Sequence, residues 1–80
     1  MEVSRKIEIG KRIEKIRVEK LDGMSQVQLG RAIGTSGQNM GLVINGKGSL
    51  SLDKAIELCN FAKVSMDYLF LGVGDGNLKN

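Results

Sequence analysis

The chain has 80 residues, of which 41% are hydrophobic and 26% charged, values that indicate one small globular domain and exclude a disordered chain. Histidine is absent and Cys59 is the single cysteine; an internal disulfide and a cysteine-based zinc cage are therefore excluded, and most enzymatic functions lack their usual general base. No apolar run reaches the roughly 18 residues of a membrane span, and the first residues lack the apolar stretch of a signal peptide. Together with the absence of histidine, this leads us to expect a non-enzymatic cytoplasmic protein.

The basic excess lies in the first part of the sequence. Residues 1–31 carry eight lysines and arginines against five acids, and residues 32–80 carry four of each, which accounts for the net charge of +3. Between Ala32 and Leu52 the only charged residue is Lys47. A basic excess confined to one segment fits a surface that meets a polyanion, and it also fits an ordinary solvated helix.

The first predicted helix covers residues 4–20. Ile9, Ile13 and Ile16 recur at i, i+4 and i+7 with charged residues between them, which is the pattern of an amphipathic helix. Gly23 is expected to end this region as a left-handed cap.

Two short helices follow, joined by a tight turn. Ser25 and Gln28 form a capping box that opens a second helix over residues 26–33. Residues 34–36 break that helix, and Thr35 or Ser36 caps a third one over residues 37–44. This is the layout of a helix-turn-helix unit. The side chains expected to face the core are Leu29, Ile33, Met40 and Val43.

Glycines occupy the positions where such a unit is crowded. Gly30 must be small because the third helix crosses close to it, and Gly34 can adopt the left-handed conformation that reverses the chain. Gly37 and Gly41 each cost roughly 1 kcal/mol inside a helix relative to alanine. They indicate either close approach of a neighbouring helix or of a groove wall, or a weak helix that is held in place by tertiary packing.

Two more helices complete the prediction. The fourth covers residues 52–62 after a Ser51 cap, and the fifth ends at Leu71 after a Ser65 cap. No stretch indicates a strand, so the fold class is an all-α bundle of five short helices over residues 1–72, and residues 73–80 form a flexible tail or the start of a linker. The buried stripe expected on the fourth helix consists of Ala55, Ile56, Cys59 and Ala62.

The third helix carries an uncharged outward ridge. A step of about 100° per residue places Met40, Val43 and Ile44 on the core side. It places Gln38, Leu42 and Asn45 on the opposite side, with Gly41. Amide side chains can pair with the major-groove edge of adenine, and an apolar side chain can contact the thymine methyl group.

Residues 25–47 resemble the DNA-binding domain of the Cro and lambdoid phage repressor family. The matching stretch reads SQVQLGRAIGTSGQNMGLVINGK, and residues 10–17 and 64–72 are similar to the first and fifth helices of that family. The resemblance covers residues 8–72. It implies a lambda repressor-like fold and a sequence-specific regulator of transcription that binds double-stranded DNA, most simply a phage or prophage repressor or its N-terminal domain.

The resemblance also implies roles for individual residues. Gly37 stands where several relatives carry a base-reading side chain, so readout shifts toward its neighbours, and Ile44 replaces an acid that is common before Asn-Gly. Positions that match base-reading ones are Gly37, Gln38, Asn39 and Leu42. Positions that match phosphate contacts, or lie at the helix starts and loop that grip phosphates, are Arg12, Gln26, Ser36, Asn45, Lys47 and Ser49.

The C-terminal apolar residues Phe70, Leu71 and Val73 are crowded together and form either core or a dimer patch. A two-fold dimer would read a roughly palindromic site with half-sites about one DNA turn apart. No cofactor, metal or small-molecule ligand is indicated. The competing hypothesis is a protein-interaction module, such as the antitoxin or adaptor half of a pair, which would bind its partner through Leu42 or the Phe70 region.

Overall fold

Five helices make up the part of the chain that the computed structural model describes, residues 5–74. They are α1 (Arg5–Lys15), α2 (Gln26–Ile33), α3 (Gly37–Ile44), α4 (Leu52–Ala62) and α5 (Met66–Leu71), and a π-helical turn (Ile16–Lys20) continues α1. The all-α fold class is confirmed. The predicted helix start at residue 4 lies outside the described residues, as does the predicted tail beyond Gly74. None of the described helices is both long and apolar enough to cross a membrane.

The end of the first helix differs from the prediction. The sequence predicts an α-helix to residue 20, whereas residues 16–20 wind as a π-helix. Arg17 lies in this turn; its guanidinium forms an ion pair with Glu14 and donates a hydrogen bond to the carbonyl of Met24 at 2.7 Å. The hydrogen bond to Glu14 raises the pKa of Arg17. The wider turn thus places Arg17 where it holds the segment that leads into α2.

The core is one cluster of apolar side chains to which every helix contributes. The four side chains predicted to face inward from α2 and α3 are all buried. On α4 the prediction is wrong at one position: Ile56 is exposed, and Leu58 is buried in its place. Residues 55, 58, 59 and 62 follow the i, i+3, i+4, i+7 rule, whereas residue 56 lies about 100° away from Ala55. Cys59 is buried, and burial raises the pKa of its thiol.

Backbone contacts fix α3 against its neighbours on two sides. A Cβ atom on Gly30 of α2 would lie 2.9 Å from the carbonyl oxygens of Thr35 and Ser36, which confirms that this position must be small. Gly34 has φ +84° and caps α2, as predicted. On the other side, a Cβ atom on Gly10 of α1 would lie 2.5 Å from the carbonyl oxygen of Ile44. The last turn of α3 therefore lies directly on the backbone of α1.

Gly10→Ala tests the contact between α1 and α3. The added methyl group would meet the carbonyl oxygens of Val43 and Ile44 at 2.6 and 2.5 Å, and these backbone atoms cannot move without shifting α3. We expect the free energy of unfolding to fall by about 2 kcal/mol, because overpacking outweighs the gain in helix propensity of about 1 kcal/mol. Urea denaturation followed by circular dichroism measures the change.

Gly41→Ala is the matched control, since both glycines lie inside helices. A methyl group at Gly41 would meet only the side-chain oxygen of Gln26, at 3.0 Å, and that flexible end can move. We expect the free energy of unfolding to stay level or to rise by up to about 1 kcal/mol. A Gly10→Ala variant as stable as the parent chain would contradict the close packing of α1 on α3.

Candidate nucleic-acid interface

Helix α3 presents one buried face and one exposed face. Met40 and Val43 are 0% and 1% exposed and lie in the core, whereas Leu42 is 43% exposed. Gln38 and Asn45 are also exposed. The orientation predicted from the helical geometry is therefore confirmed. The three exposed side chains, Gln38, Leu42 and Asn45, are called the recognition ridge below.

The ridge is uncharged and offers two kinds of contact. Gln38 and Asn45 carry amide groups that both donate and accept hydrogen bonds. Leu42 lies between them and is a large apolar side chain left in solvent by the rest of the described chain. Such a combination can hydrogen-bond to base edges and contact a methyl group at the same time.

The first turn of α3 is built by its own cap. The Ser36 hydroxyl accepts a hydrogen bond from the backbone N–H of Asn39 at 3.0 Å. The side-chain amide of Asn39 donates to the Thr35 hydroxyl at 2.9 Å, and Asn39 is half-buried. Asn39 therefore lies against the turn rather than on the recognition ridge. The first N–H groups of α3 have no partner within the helix, which gives this end a partial positive charge.

The two glycines of α3 are explained by α2. A Cβ atom on Gly37 would lie 2.6 Å from the Cγ2 atom of Val27 and 2.9 Å from its Cα atom. A Cβ atom on Gly41 would lie 3.0 Å from the side-chain oxygen of Gln26. Close approach of a neighbouring helix, α2, therefore accounts for both positions.

The N-terminus of α2 lies beside α3. The capping box is present: the Ser25 hydroxyl accepts from the Gln28 N–H, and the Gln28 side chain accepts from the Ser25 N–H, both at 3.1 Å. Gln26 follows the cap, is half-buried and extends its amide toward Gly41. A phosphate that approached α3 on this side would also meet the Gln26 amide and the free N–H groups of α2.

The loop after α3 folds back onto the last turn of the helix. The N–H groups of Lys47 and Gly48 both donate to the carbonyl of Leu42, at 2.9 and 3.2 Å. Gly46 adopts φ +77°, which makes this reversal possible. Lys47 is exposed and, among residues 5–74, forms no ion pair. Asn45 and Ser49 are exposed on the same loop. The exposed cation of Lys47 and the hydroxyl group of Ser49 thus follow shortly after Asn45, the last residue of the recognition ridge.

Arg12 lies apart from the other residues that are expected to contact phosphate. Its guanidinium donates a hydrogen bond to the carbonyl of Leu69 at 3.0 Å and lies against Gly72. The side chain satisfies a carbonyl near the C-terminus of α5, where a cation is favoured. The structure therefore does not bring Arg12 together with the other residues expected to contact phosphate, and we leave it out of the interface proposed below.

The residues expected in a dimer patch lie at the end of α5. Phe70 is half-buried, and Leu71 and Val73 are each 57% exposed. Phe70 packs against the core cluster while the other two face solvent. In residues 5–74, no group of acidic or cysteine side chains has the arrangement needed to hold a metal ion.

Gly10 is the residue that sequence reasoning missed. It sets the position of the last turn of α3 through its close approach to the carbonyl oxygens of Val43 and Ile44. The available signal is a glycine in the middle of an amphipathic helix, which costs about 1 kcal/mol relative to alanine and needs a packing reason.

Comparison with known proteins agrees with this geometry. The helix-turn-helix family model matches residues 13–69. Among solved structures, the restriction-modification controller protein C.AhdI of Aeromonas hydrophila is similar in fold, with 24% sequence identity and a TM-score of 0.74 over 85% of this chain and all of that one. No curated protein sequence matches. The chain belongs to the helix-turn-helix family, in its Cro and lambdoid repressor type, and its class is that of DNA-binding transcription regulators.

Proposed function

We propose that this protein is a sequence-specific repressor that binds a roughly palindromic duplex as a homodimer, with α3 in the major groove. The observation that carries the proposal is the recognition ridge: two amides and a leucine exposed on a helix whose other face is buried. An α-helix fits the major groove, which is about 12 Å wide.

Base reading falls on the side chains of α3. Gln38 can bond in a bidentate manner to adenine, and Leu42 can contact the methyl group of thymine. The side-chain amide of Asn39 donates a hydrogen bond to the Thr35 hydroxyl. Only the remaining N–H and the carbonyl oxygen of that amide are left to contact a base. Gly37 offers only its backbone, because a side chain at this position would point at Val27 of α2.

Phosphate contacts surround the ridge on two sides. The two helix N-termini supply free N–H groups and partial positive charge, and the loop after α3 supplies the cation of Lys47. These groups position the helix without reading sequence. The side chains assigned to phosphate are Gln26, Ser36, Asn45, Lys47 and Ser49.

The end of α5 supplies the dimer contact in this proposal. Leu71 and Val73 expose apolar surface within four residues of Phe70, and a domain of 80 residues gains stability by covering such surface. A two-fold axis there would present two copies of α3 to half-sites about 34 Å apart.

The finer role is that of a phage or prophage repressor, or of its N-terminal domain, acting in the bacterial cytoplasm. The protein C.AhdI, which is similar in fold, is named a restriction-modification controller protein, and a controller protein also has a regulatory role. Selection of binding sites from a random pool of duplexes tests the proposal, because the enriched half-sites report both specificity and symmetry.

Gln38→Ala is expected to change which sequences are bound. Loss of one bidentate contact should weaken binding to the selected site by about 1–3 kcal/mol, and should cost much less on duplexes in which the base pair that Gln38 reads has been changed. Site selection repeated with the variant should relax one position in each half-site. If the variant selects the same sites with the same affinity, the assignment of the ridge to the bases is wrong.

Lys47→Gln is expected to weaken binding to all duplexes alike. The logarithm of affinity should fall less steeply with the logarithm of salt concentration, the slope being reduced by about 1 for each protomer. Fluorescence anisotropy with labelled duplexes at several salt concentrations measures both effects.

Lys63→Asn is the matched control for Lys47→Gln. Lys63 is an exposed lysine at the end of α4 with φ +59°, a conformation that asparagine also adopts. This variant should keep the parent affinity and salt slope.

The competing function is that of a protein-interaction module. It would be supported if the protein does not bind duplexes but forms a complex with another protein whose affinity does not depend on salt.

Leu71→Asp is expected to weaken the dimer. A carboxylate at the centre of an apolar contact must be desolvated, and we expect the dimer dissociation constant to rise at least tenfold. Leu52→Asp is the control, because Leu52 is also exposed, on α4, and an acid suits the first turn of a helix. Sedimentation equilibrium distinguishes the two; equal dimerisation of both variants would contradict the α5 contact.

A further inference from the structure

An apolar cavity lies behind the loop that follows α3. Its volume is about 250 Å³, and it is open to solvent on one side. It is lined by α1, the end of α3, this loop and α5. Val43 and Leu69, both core residues, form part of its lining. The side chains of Ile9, Leu50 and Phe70, all half-buried, form the rest of its apolar lining.

The cavity carries positive charge and no negative charge in the described part of the chain. Arg5 and Lys6 line it from the first turn of α1, both are exposed, and no aspartate or glutamate lines it. Neither cation forms an ion pair within residues 5–74. The cavity thus combines an apolar lining with two available cations.

This combination selects a ligand by its chemistry. Water is held weakly in an apolar space that offers it few polar partners, and an apolar ligand would bury surface at about 25 cal/mol per Å². A free anionic group on the same ligand would meet Arg5 and Lys6. We propose that the cavity binds a small amphiphile with an anionic head, such as a medium-chain carboxylate.

The size of the cavity limits the length of this ligand. Its volume of about 250 Å³ is below the roughly 300–1,000 Å³ of sites for drug-sized molecules. Taking about 30 Å³ for each water-sized group, it holds about eight such groups. Decanoate is therefore a suitable probe, because its alkyl chain of about nine carbon atoms would fill this space with the carboxylate left at the open side.

The position of the cavity links it to the surface proposed to bind DNA. Gly48, Ser49 and Leu50 line it, and Ser49 belongs to the loop assigned to phosphate. A bound ligand would place its carboxylate close to this loop and would restrict the movement of the loop from the cavity side. Resting on the proposed function, this predicts that the ligand lowers DNA affinity, with coupling of about fivefold or more.

Titration of the isotope-labelled protein with decanoate, followed by NMR, tests the site without DNA. We expect saturating shifts at Ile9, Leu50 and Phe70, with smaller ones at distant exposed apolar residues such as Leu52. Octanoate should bind about tenfold more weakly, since it lacks two methylene groups. No saturation, or equal shifts over all exposed apolar residues, would overturn the proposal.

Charge variants separate head-group recognition from simple hydrophobic binding. Arg5→Gln/Lys6→Gln should weaken decanoate binding about threefold to tenfold, while binding of decanol, which has no charge, should stay the same. Lys11→Gln/Lys15→Gln removes the same charge from exposed positions of α1 outside the cavity and should leave decanoate affinity within twofold. Equal effects of the two double variants would overturn the assignment of Arg5 and Lys6.

The link to DNA is measured separately, by anisotropy with a selected duplex at saturating decanoate. If decanoate binds but the affinity for the duplex is unchanged, the link to DNA is overturned and the ligand site remains. If the protein does not bind duplexes even in the absence of decanoate, the proposed function is contradicted. If the NMR signals of cavity residues shift with protein concentration and decanoate has no effect, a second copy of the chain occupies the cavity instead.

Discussion

Helix α3 is held in place because its backbone packs directly against the backbones of α1 and α2. At Gly30, the backbone of the turn after α2 lies in contact with α2 itself. Gly37 allows α3 to start against Val27, and Gly10 allows the last turn of α3 to lie on α1. Backbone atoms cannot rotate away as side chains can, so these contacts fix the axis of α3 closely. Met40 and Val43 then have one place to pack, and the opposite face of the helix is left exposed.

That exposed face explains the distribution of charge along the chain. The recognition ridge has no charged residue, and the only cation nearby in sequence is Lys47, on a loop held to α3 by two hydrogen bonds to one carbonyl. In the proposed complex, side chains of the ridge would meet base edges, while Lys47, the helix N-termini and the neighbouring polar side chains would meet the phosphates. In a dimer each of these contacts would occur twice, so a modest net charge would be sufficient for binding.

The local elements could be predicted well from the sequence, because their signals are local. Ser25, Ser36, Ser51 and Ser65 each precede a helix and cap it in the structure. The faces of α3 followed from its period alone. Non-local features were harder to predict: nothing near Arg12 in sequence indicates that it reaches the carbonyl of Leu69, 57 residues away. The π-helical turn and the cavity likewise depend on tertiary contacts, which a pattern of single residues does not contain.

Nuclear Overhauser effects between the Leu42 methyl groups and a duplex obtained by site selection show directly whether α3 lies in the major groove. Leu42 lies at the middle of the recognition ridge, and its methyl groups give resolved signals when selectively labelled. We expect contacts from these methyl groups to thymine methyl and other base protons that line the major groove. The placement of α3 in the major groove would be contradicted by a specific complex in which another surface of the chain contacts the duplex and the Leu42 methyl groups do not.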